Sequence, residues 1–220
     1  MCIRDSPCLM WHDTTAKGFA RILTVVYATP IRRGECRLFA RFPFRFESPW
    51  PARLLRLRPI WLQHLGNHVV LEDDQIFLHW QERVLEQRGG SPAISRSCYL
   101  ASGADRYIQA LHGWVVIHGG EPFPEQRLPA RRDDAPLLER WESHSRHCAS
   151  CRGADRSLSR IQPLLWGLAA AALLAAAWSG VGGRGLGLTL VALALAAAAL
   201  QTGRWRSGLR VGQRLPPRNR

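Results

Sequence analysis

The chain has 220 residues, enough for one domain of ordinary size and an appendage, and its 46% hydrophobic content is that of a globular protein. Its net charge of +13 rests on 30 basic residues that are all arginine except Lys17. With no zinc-finger spacing, RNP-like aromatic motif or basic helix with interleaved aromatics, that charge points away from nucleic acid and towards a membrane surface or an acidic substrate. The scattered cysteines, with one close pair, exclude a secreted disulfide framework and fit a reducing or redox-regulated compartment.

Residues 1–6, MCIRDS, lack the apolar core and cleavage site of a signal peptide. They back-translate to a string that resembles the transposase end sequence of tagmentation libraries, so they are set aside as an artefact. The remainder is expected to be the C-terminal part of a longer protein. Residues 20–31 (ARILTVVYATPI) and 36–46 (CRLFARFPFRF), rich in β-branched and aromatic side chains, predict two strands joined by a short Gly-containing loop. In the second, Leu38, Ala40, Phe42 and Phe44 share one face, and Arg37, Arg41 and Arg45 the other. ESPWP at 47–51 breaks the pattern. Helical spacing then runs from Ala52 to about Arg88, where Gly89-Gly90 stops it. A short strand at 94–100, a helix from about Ala104 to Ile117, a Pro-rich connector at 121–136 and a helix from near Pro136 towards the cysteine pair are expected next.

Residues 161–179 (IQPLLWGLAAAALLAAAWS) carry no charge over about 19 residues, enough to cross a bilayer core. Residues 185–202 repeat this after GVGGR, and Trp166, Trp178 and Trp205 flank the two segments. Together they predict a transmembrane hairpin over 159–203, preceded by a soluble part at 7–158 and followed by a basic tail at 204–220. The tail's arginines place it, and with it the soluble part, on the cytoplasmic or stromal side.

SHSRHCASCRG, residues 143–153, is the densest group of soft donors in the chain. Haem attachment would need C-x-x-C-H, and Arg152 stands where the histidine should be. His144, Cys148 and Cys151 form H-x3-C-x2-C, three zinc-type ligands that need a fourth, such as His147. That spacing before a membrane segment is similar to the zinc-containing anti-sigma factors, which would make the chain a membrane-anchored regulator. Cys148 and Cys151 equally suit a reversible disulfide at a helix start, and two inert thiols remain a third reading. Upstream, His64 and His68 stand four apart, a spacing that suits metal chelation on one helix face but more often a packed or surface pair.

PIWLQHLGNHVVLEDDQIFLHWQE, residues 59–82, resembles a segment of the pheophorbide a oxygenase family of membrane-associated Rieske-type oxygenases, which includes chlorophyll-catabolic, protochlorophyllide-related and translocon members. W-x-S-H-x3-C-x-S-C-[KR], another family pattern, is matched by Trp141, Ser143, His144, Cys148, Ser150, Cys151 and Arg152. The short all-helical anti-sigma zinc domain, by contrast, does not account for a strand hairpin and a long helix before the motif.

The resemblance implies an α+β fold, a partial helix-grip-like antiparallel sheet around a long helix, followed by the transmembrane hairpin. It implies ferredoxin as electron donor, a chlorophyll-derived tetrapyrrole as substrate, a [2Fe–2S] Rieske cluster and a mononuclear non-haem Fe(II). Thioredoxin acting on Cys148 and Cys151, membrane lipid and a homotrimeric assembly complete the expected partners, and the thylakoid or a chloroplast or cyanobacterial inner membrane the location. Neither C-x-H…C-x-x-H nor D-x2-H-x4-H occurs in this chain; the family places both upstream, so the fragment alone should be inactive, and a non-catalytic translocon-type relative is the alternative within the same resemblance. One iron ligand carries over. Asp74 stands seven residues before Gln81, as the family's carboxylate does before a glutamine, with Asp73 its competitor. Glu72-Asp73-Asp74 would also suit an acidic first helical turn. Trp61, Phe77 and Trp80 suit a packed core more than a pigment platform.

Overall fold

The computed structural model describes residues 8–16 and 20–212. The proposed artefact at 1–6 and the last eight residues of the basic tail lie outside them. Four antiparallel strands form one sheet: β1 (Leu9–Ala16), β2 (Ala20–Arg32), β3 (Glu35–Arg41) and β4 (Phe44–Phe46). The helices are α1 (Pro49–Leu57), α2 (Ile60–Gln87), α3 (Ile94–Ser97), α4 (Arg106–Ile117), α5 (Asp134–Leu137), α6 (Ala149–Trp178) and α7 (Gly183–Gly208). This is the expected α+β class, a small antiparallel sheet and long helices with two long apolar helices last.

The chain divides into two compact units. One is Met1–Leu57 with Gln75–Arg132, the other Arg58–Asp74 with Asp133–Arg220, so α2 gives its first half to one and its second half to the other.

In the first unit β2 is the long central strand. β1 covers one edge, and β3 and β4 share the other, β3 against Val25–Arg32 and β4 against Ala20–Ile22. The single strand expected over 36–46 is therefore split at Phe42-Pro43. Proline has no N–H to give a ladder, and the Pro43 carbonyl instead accepts from Leu23 N at 3.1 Å. Gly34 closes the hairpin at φ +75°, and a Cβ there would press on Leu128 Cδ1 at 3.0 Å and Pro129 Cδ at 3.1 Å. Beside it, Arg33 ties the turn to two later segments through Glu86 and Glu121, at 2.5 and 3.0 Å. Gly89 and Gly90, at φ +108° and +71°, end α2 as expected.

Three further expectations need correction. The long helix breaks at Arg58-Pro59 into α1 and α2, because a proline ring disfavours the α conformation in the residue before it and brings no N–H to continue the helical ladder. The strand expected at 94–100 is instead a 3-10 turn, Ser91–Ala93, running into α3. Ser91 starts it with both its N and Oγ donating to Glu121 Oε1, at 3.0 and 2.8 Å. The helix expected from Pro136 is only α5. It is followed by an irregular segment and a π-helical turn, Trp141–Ser145, before Cys148 caps α6.

In the second unit α6 and α7 form an antiparallel hairpin, both long and apolar enough to cross a membrane by length and composition. Small buried residues at heptad spacing, Ala169 and Ala176 on α6 with Gly185, Ala192 and Ala199 on α7, let the backbones approach closely. α7 continues to Gly208, so the first residues of the basic tail are helical.

Candidate metal centre

The base of the hairpin is closed by an apolar cluster of Cys151, Ala154, Leu158 and Leu209, with Trp61, Leu65, Cys148 and Trp205 packed around it. Trp61 on α2 meets Trp205 on α7 edge-to-face, ring centroids 5.6 Å apart. Trp61 is thus a packing residue, and Trp205 helps fix this junction.

Polar pairs surround the cluster. Arg140 and Glu72, about 5% and 6% exposed, form a bidentate pair: Nη2 donates to Oε2 at 2.7 Å and Nε donates to Oε1. The remaining Arg140 nitrogen, Nη1, donates to Gly208 O at 2.5 Å. Arg210 grips Asp155 with two bonds of 2.9 Å, and this guanidinium holds the Asp155 carboxyl below the usual aspartate range. Ser145 Oγ donates to Leu209 O at 2.5 Å. In each pair the two partners come from different stretches of chain, and together they bind the first half of α2, the connector, the start of α6 and the end of α7.

Inside this frame four side chains converge. The ligand atoms of His64, His144, Cys148 and Cys151 all lie within 4.8 Å of one another. His64 Nδ1 is 3.2 Å from His144 Nε2, 3.3 Å from Cys151 Sγ and 3.6 Å from Cys148 Sγ, and Cys151 Sγ is 3.5 Å from His144 Nε2. Each is placed by a separate device. His64 faces inward from the first turns of α2. His144 comes from the π-helical turn, whose extra residue per turn redirects it. Cys148 is the N-cap of α6 and Cys151 stands in its first turn, so the C-x-x-C spacing puts both sulfurs on one side of a helix start.

Burial and the neighbouring Cys148 push the Cys151 thiol up to about 12. Burial likewise lowers both His64 and His144, favouring neutral imidazoles, which are the ligating form. His68, one turn beyond His64, packs its ring 4.5 Å from that of His144 and has a buried Nε2 with no protein partner. Burial drives its pKa down to about 4.

Of the sequence candidates, His144, Cys148 and Cys151 come together, while His147 does not join them: it is exposed and pairs with Arg146 Nε at 3.0 Å. His64 supplies the fourth donor instead. The spacing of His64 and His68 offered a hint of metal chemistry, but pointed to the wrong pair. Asp74 is exposed on α2 and belongs to no three-ligand cluster among the described residues; the side chain of Asp73 lies outside them. Phe77 is exposed, and Trp80 lies under Arg131, whose guanidinium is 4.4 Å from the ring centroid.

A family model described as pheophorbide a oxygenase matches residues 5–92, which span the sheet, α1 and α2. Pheophorbide a oxygenase, chloroplastic, of Arabidopsis thaliana is 29% identical over 174 residues, covering 69% of this chain and 31% of that protein. Protochlorophyllide-dependent translocon component 52, chloroplastic, of the same plant is 24% identical over 167 residues, 73% of this chain and 29% of that protein. Flavonoid 8-hydroxylase 2, chloroplastic, of Ocimum basilicum is 26% identical over 145 residues, 64% of this chain and 26% of that protein. The chain therefore spans about a quarter to a third of the length of the curated relatives it matches. No solved structure matches it. Over the sheet and α2 by the family model, and over about two thirds of its length by the curated relatives, this chain is similar to proteins of the pheophorbide a oxygenase family.

Proposed function

We propose that this chain is the membrane-anchored C-terminal part of a Rieske-type non-haem iron oxygenase acting on a chlorophyll-derived tetrapyrrole, with ferredoxin as electron donor. The observation that carries this reading is the family match over residues 5–92, which includes the helix bearing Asp74. Asp74 is the proposed carboxylate ligand of the mononuclear iron, and its exposure on α2 leaves it accessible to the two histidines that such a triad requires.

The residues of this chain do not by themselves complete either iron group. The sequence lacks the paired C-x-H and C-x-x-H of a Rieske centre, and among the described residues no histidines gather around Asp74. The Cys2His2 cluster does not substitute. A Rieske centre puts its cysteines on one iron and its histidines on the other, whereas here Cys151 Sγ touches both imidazoles. No catalytic step is therefore assigned to these side chains, and the fragment is expected to be inactive alone.

α6 and α7 supply the anchor, in a thylakoid or a chloroplast or cyanobacterial inner membrane, with the remaining residues on the stromal or cytoplasmic side. The chloroplastic relatives support that location. A membrane-anchored zinc regulator of anti-sigma type has the donor set in its favour but neither the sheet nor the family match. The test is to recover the longer reading frame, express it with its iron groups and measure oxidation of pheophorbide a with reduced ferredoxin. Turnover and bound mononuclear iron are expected, both lost in Asp74→Ala. Normal turnover in that variant refutes the ligand assignment, and an upstream sequence without Rieske cysteines and histidines refutes the enzyme.

A further inference from the structure

We propose that His64, His144, Cys148 and Cys151 hold a single tetrahedral zinc ion that fastens the first half of α2 to the base of the membrane hairpin. The argument is geometric. Zinc bonds of about 2.3 Å to sulfur and about 2.05 Å to nitrogen, at tetrahedral angles, set nitrogen–nitrogen spacings near about 3.3 Å and nitrogen–sulfur spacings near about 3.6 Å. The chain shows 3.2 Å between the two imidazole nitrogens, and 3.3, 3.5 and 3.6 Å between imidazole nitrogens and sulfurs. Four of the six donor spacings are thus already those of ligands of one ion, and all six lie within 4.8 Å.

The donor chemistry narrows the choice of ion. Two thiolates and two imidazoles in a tetrahedral set select zinc over the oxygen-seeking divalent cations. Binding replaces the two thiol protons, which leave to solvent, so the ion's two positive charges are neutralised by two thiolates. Cys151 is fully buried and the other three donors are half-buried, so all four positions are filled by protein, as in a structural site. A Cys148–Cys151 disulfide would engage two of the four donors and give no reason for two imidazoles to turn their nitrogens into the same cluster.

The site joins parts of the chain that are far apart in sequence: His64 lies 87 residues before Cys151. Asp74 follows His64 by ten residues, about 15 Å along the same helix. If α2 carries the iron carboxylate, the zinc holds that helix at the membrane. The zinc site itself rests on the cluster alone and not on the oxygenase reading.

The test uses the full 220-residue chain purified in detergent, with metal content measured by elemental mass spectrometry. About one zinc per chain is expected. His64→Ala and Cys151→Ser should each lower zinc retention about tenfold or more, while His147→Ala, at an exposed non-ligand, keeps it. Because ligand variants can misfold, the unaltered chain is also stripped and reloaded with cobalt. The visible bands of a tetrahedral ion and a thiolate-to-cobalt charge-transfer band are expected. Maleimide should leave Cys148 and Cys151 unmodified until chelator is added, with exposed Cys36 labelled throughout. A metal-free chain carrying a Cys148–Cys151 disulfide, iron in place of zinc, or zinc retention unchanged in His64→Ala would each overturn the proposal. None of these readouts depends on turnover or on the oxygenase iron.

Discussion

The two units of the chain are held together in different ways. In the unit containing the sheet, most order is local: adjacent strands, a glycine turn, and helices ended by glycine or proline. Large apolar side chains such as Tyr27, Leu38, Phe39, Phe44 and Phe77 stay exposed there. The unit containing the hairpin base buries an arginine, two carboxylates and a serine around a small apolar cluster that includes Cys151. Its order comes from polar groups matched across distant parts of the chain. Changes in the second unit should therefore cost more, residue for residue, than changes in the first, because a buried polar group that loses its partner keeps its desolvation penalty.

That contrast can be broken or sharpened by substitution, read as denaturant or thermal unfolding of the detergent-solubilised chain. The largest effect is expected for Glu72→Gln, which leaves the Arg140 guanidinium buried without its counter-charge and should cost about 3–5 kcal/mol. A loss below about 1 kcal/mol would show that the pair is solvated in solution.

Asp155→Asn should cost about 1.5–3 kcal/mol by weakening the charged bonds from Arg210. The same group sets a pH dependence. Its folded pKa is depressed, so its contribution is present above the unfolded value of about 3.9 and is lost as pH falls through the lower folded value. The unaltered chain should lose stability below about pH 4, and the Asn variant should lose less over that window. Identical acid profiles would remove Asp155 from the account.

In the sheet, Gly34→Ala should cost about 1–3 kcal/mol, since alanine must adopt the left-handed conformation and press on Leu128 and Pro129. The smallest effect belongs to the exposed ion pair of Arg32 and Glu35. Glu35→Gln should change stability by less than about 1 kcal/mol, and a larger loss would mean that surface charge matters more in this unit than its exposure implies.

What the sequence revealed follows the same division. The hairpin over β2 and β3, the stop at Gly89-Gly90 and the two apolar helices were legible because each is encoded within a few residues, by alternation, by glycine or by an uncharged run. β1 was not foreseen: LMWHDTTA mixes His12, Asp13 and two threonines, and its ladder to β2 becomes apparent only when the strands are paired. The segment at 94–100 was misread because Ile94 and Tyr99 favour a strand locally, whereas its preceding turn is set by Glu121, 30 residues away from Ser91. The candidate site was half legible. His144, Cys148 and Cys151 lie close in sequence, but His64 joins them only through packing of α2, and no spacing rule reaches across that interval. His147 was the natural local guess for the fourth ligand, and the π-helical turn instead leaves it exposed.

The most direct test of the account is X-ray absorption at the zinc edge of the purified chain. We expect one shell of two sulfurs at about 2.3 Å and two imidazole nitrogens at about 2.0–2.1 Å, with a nitrogen contribution reduced in His64→Ala. A shell made only of nitrogen and oxygen, or two sulfurs with an unchanged nitrogen shell in that variant, would contradict the assignment of His64, His144, Cys148 and Cys151 as the ligands of one ion.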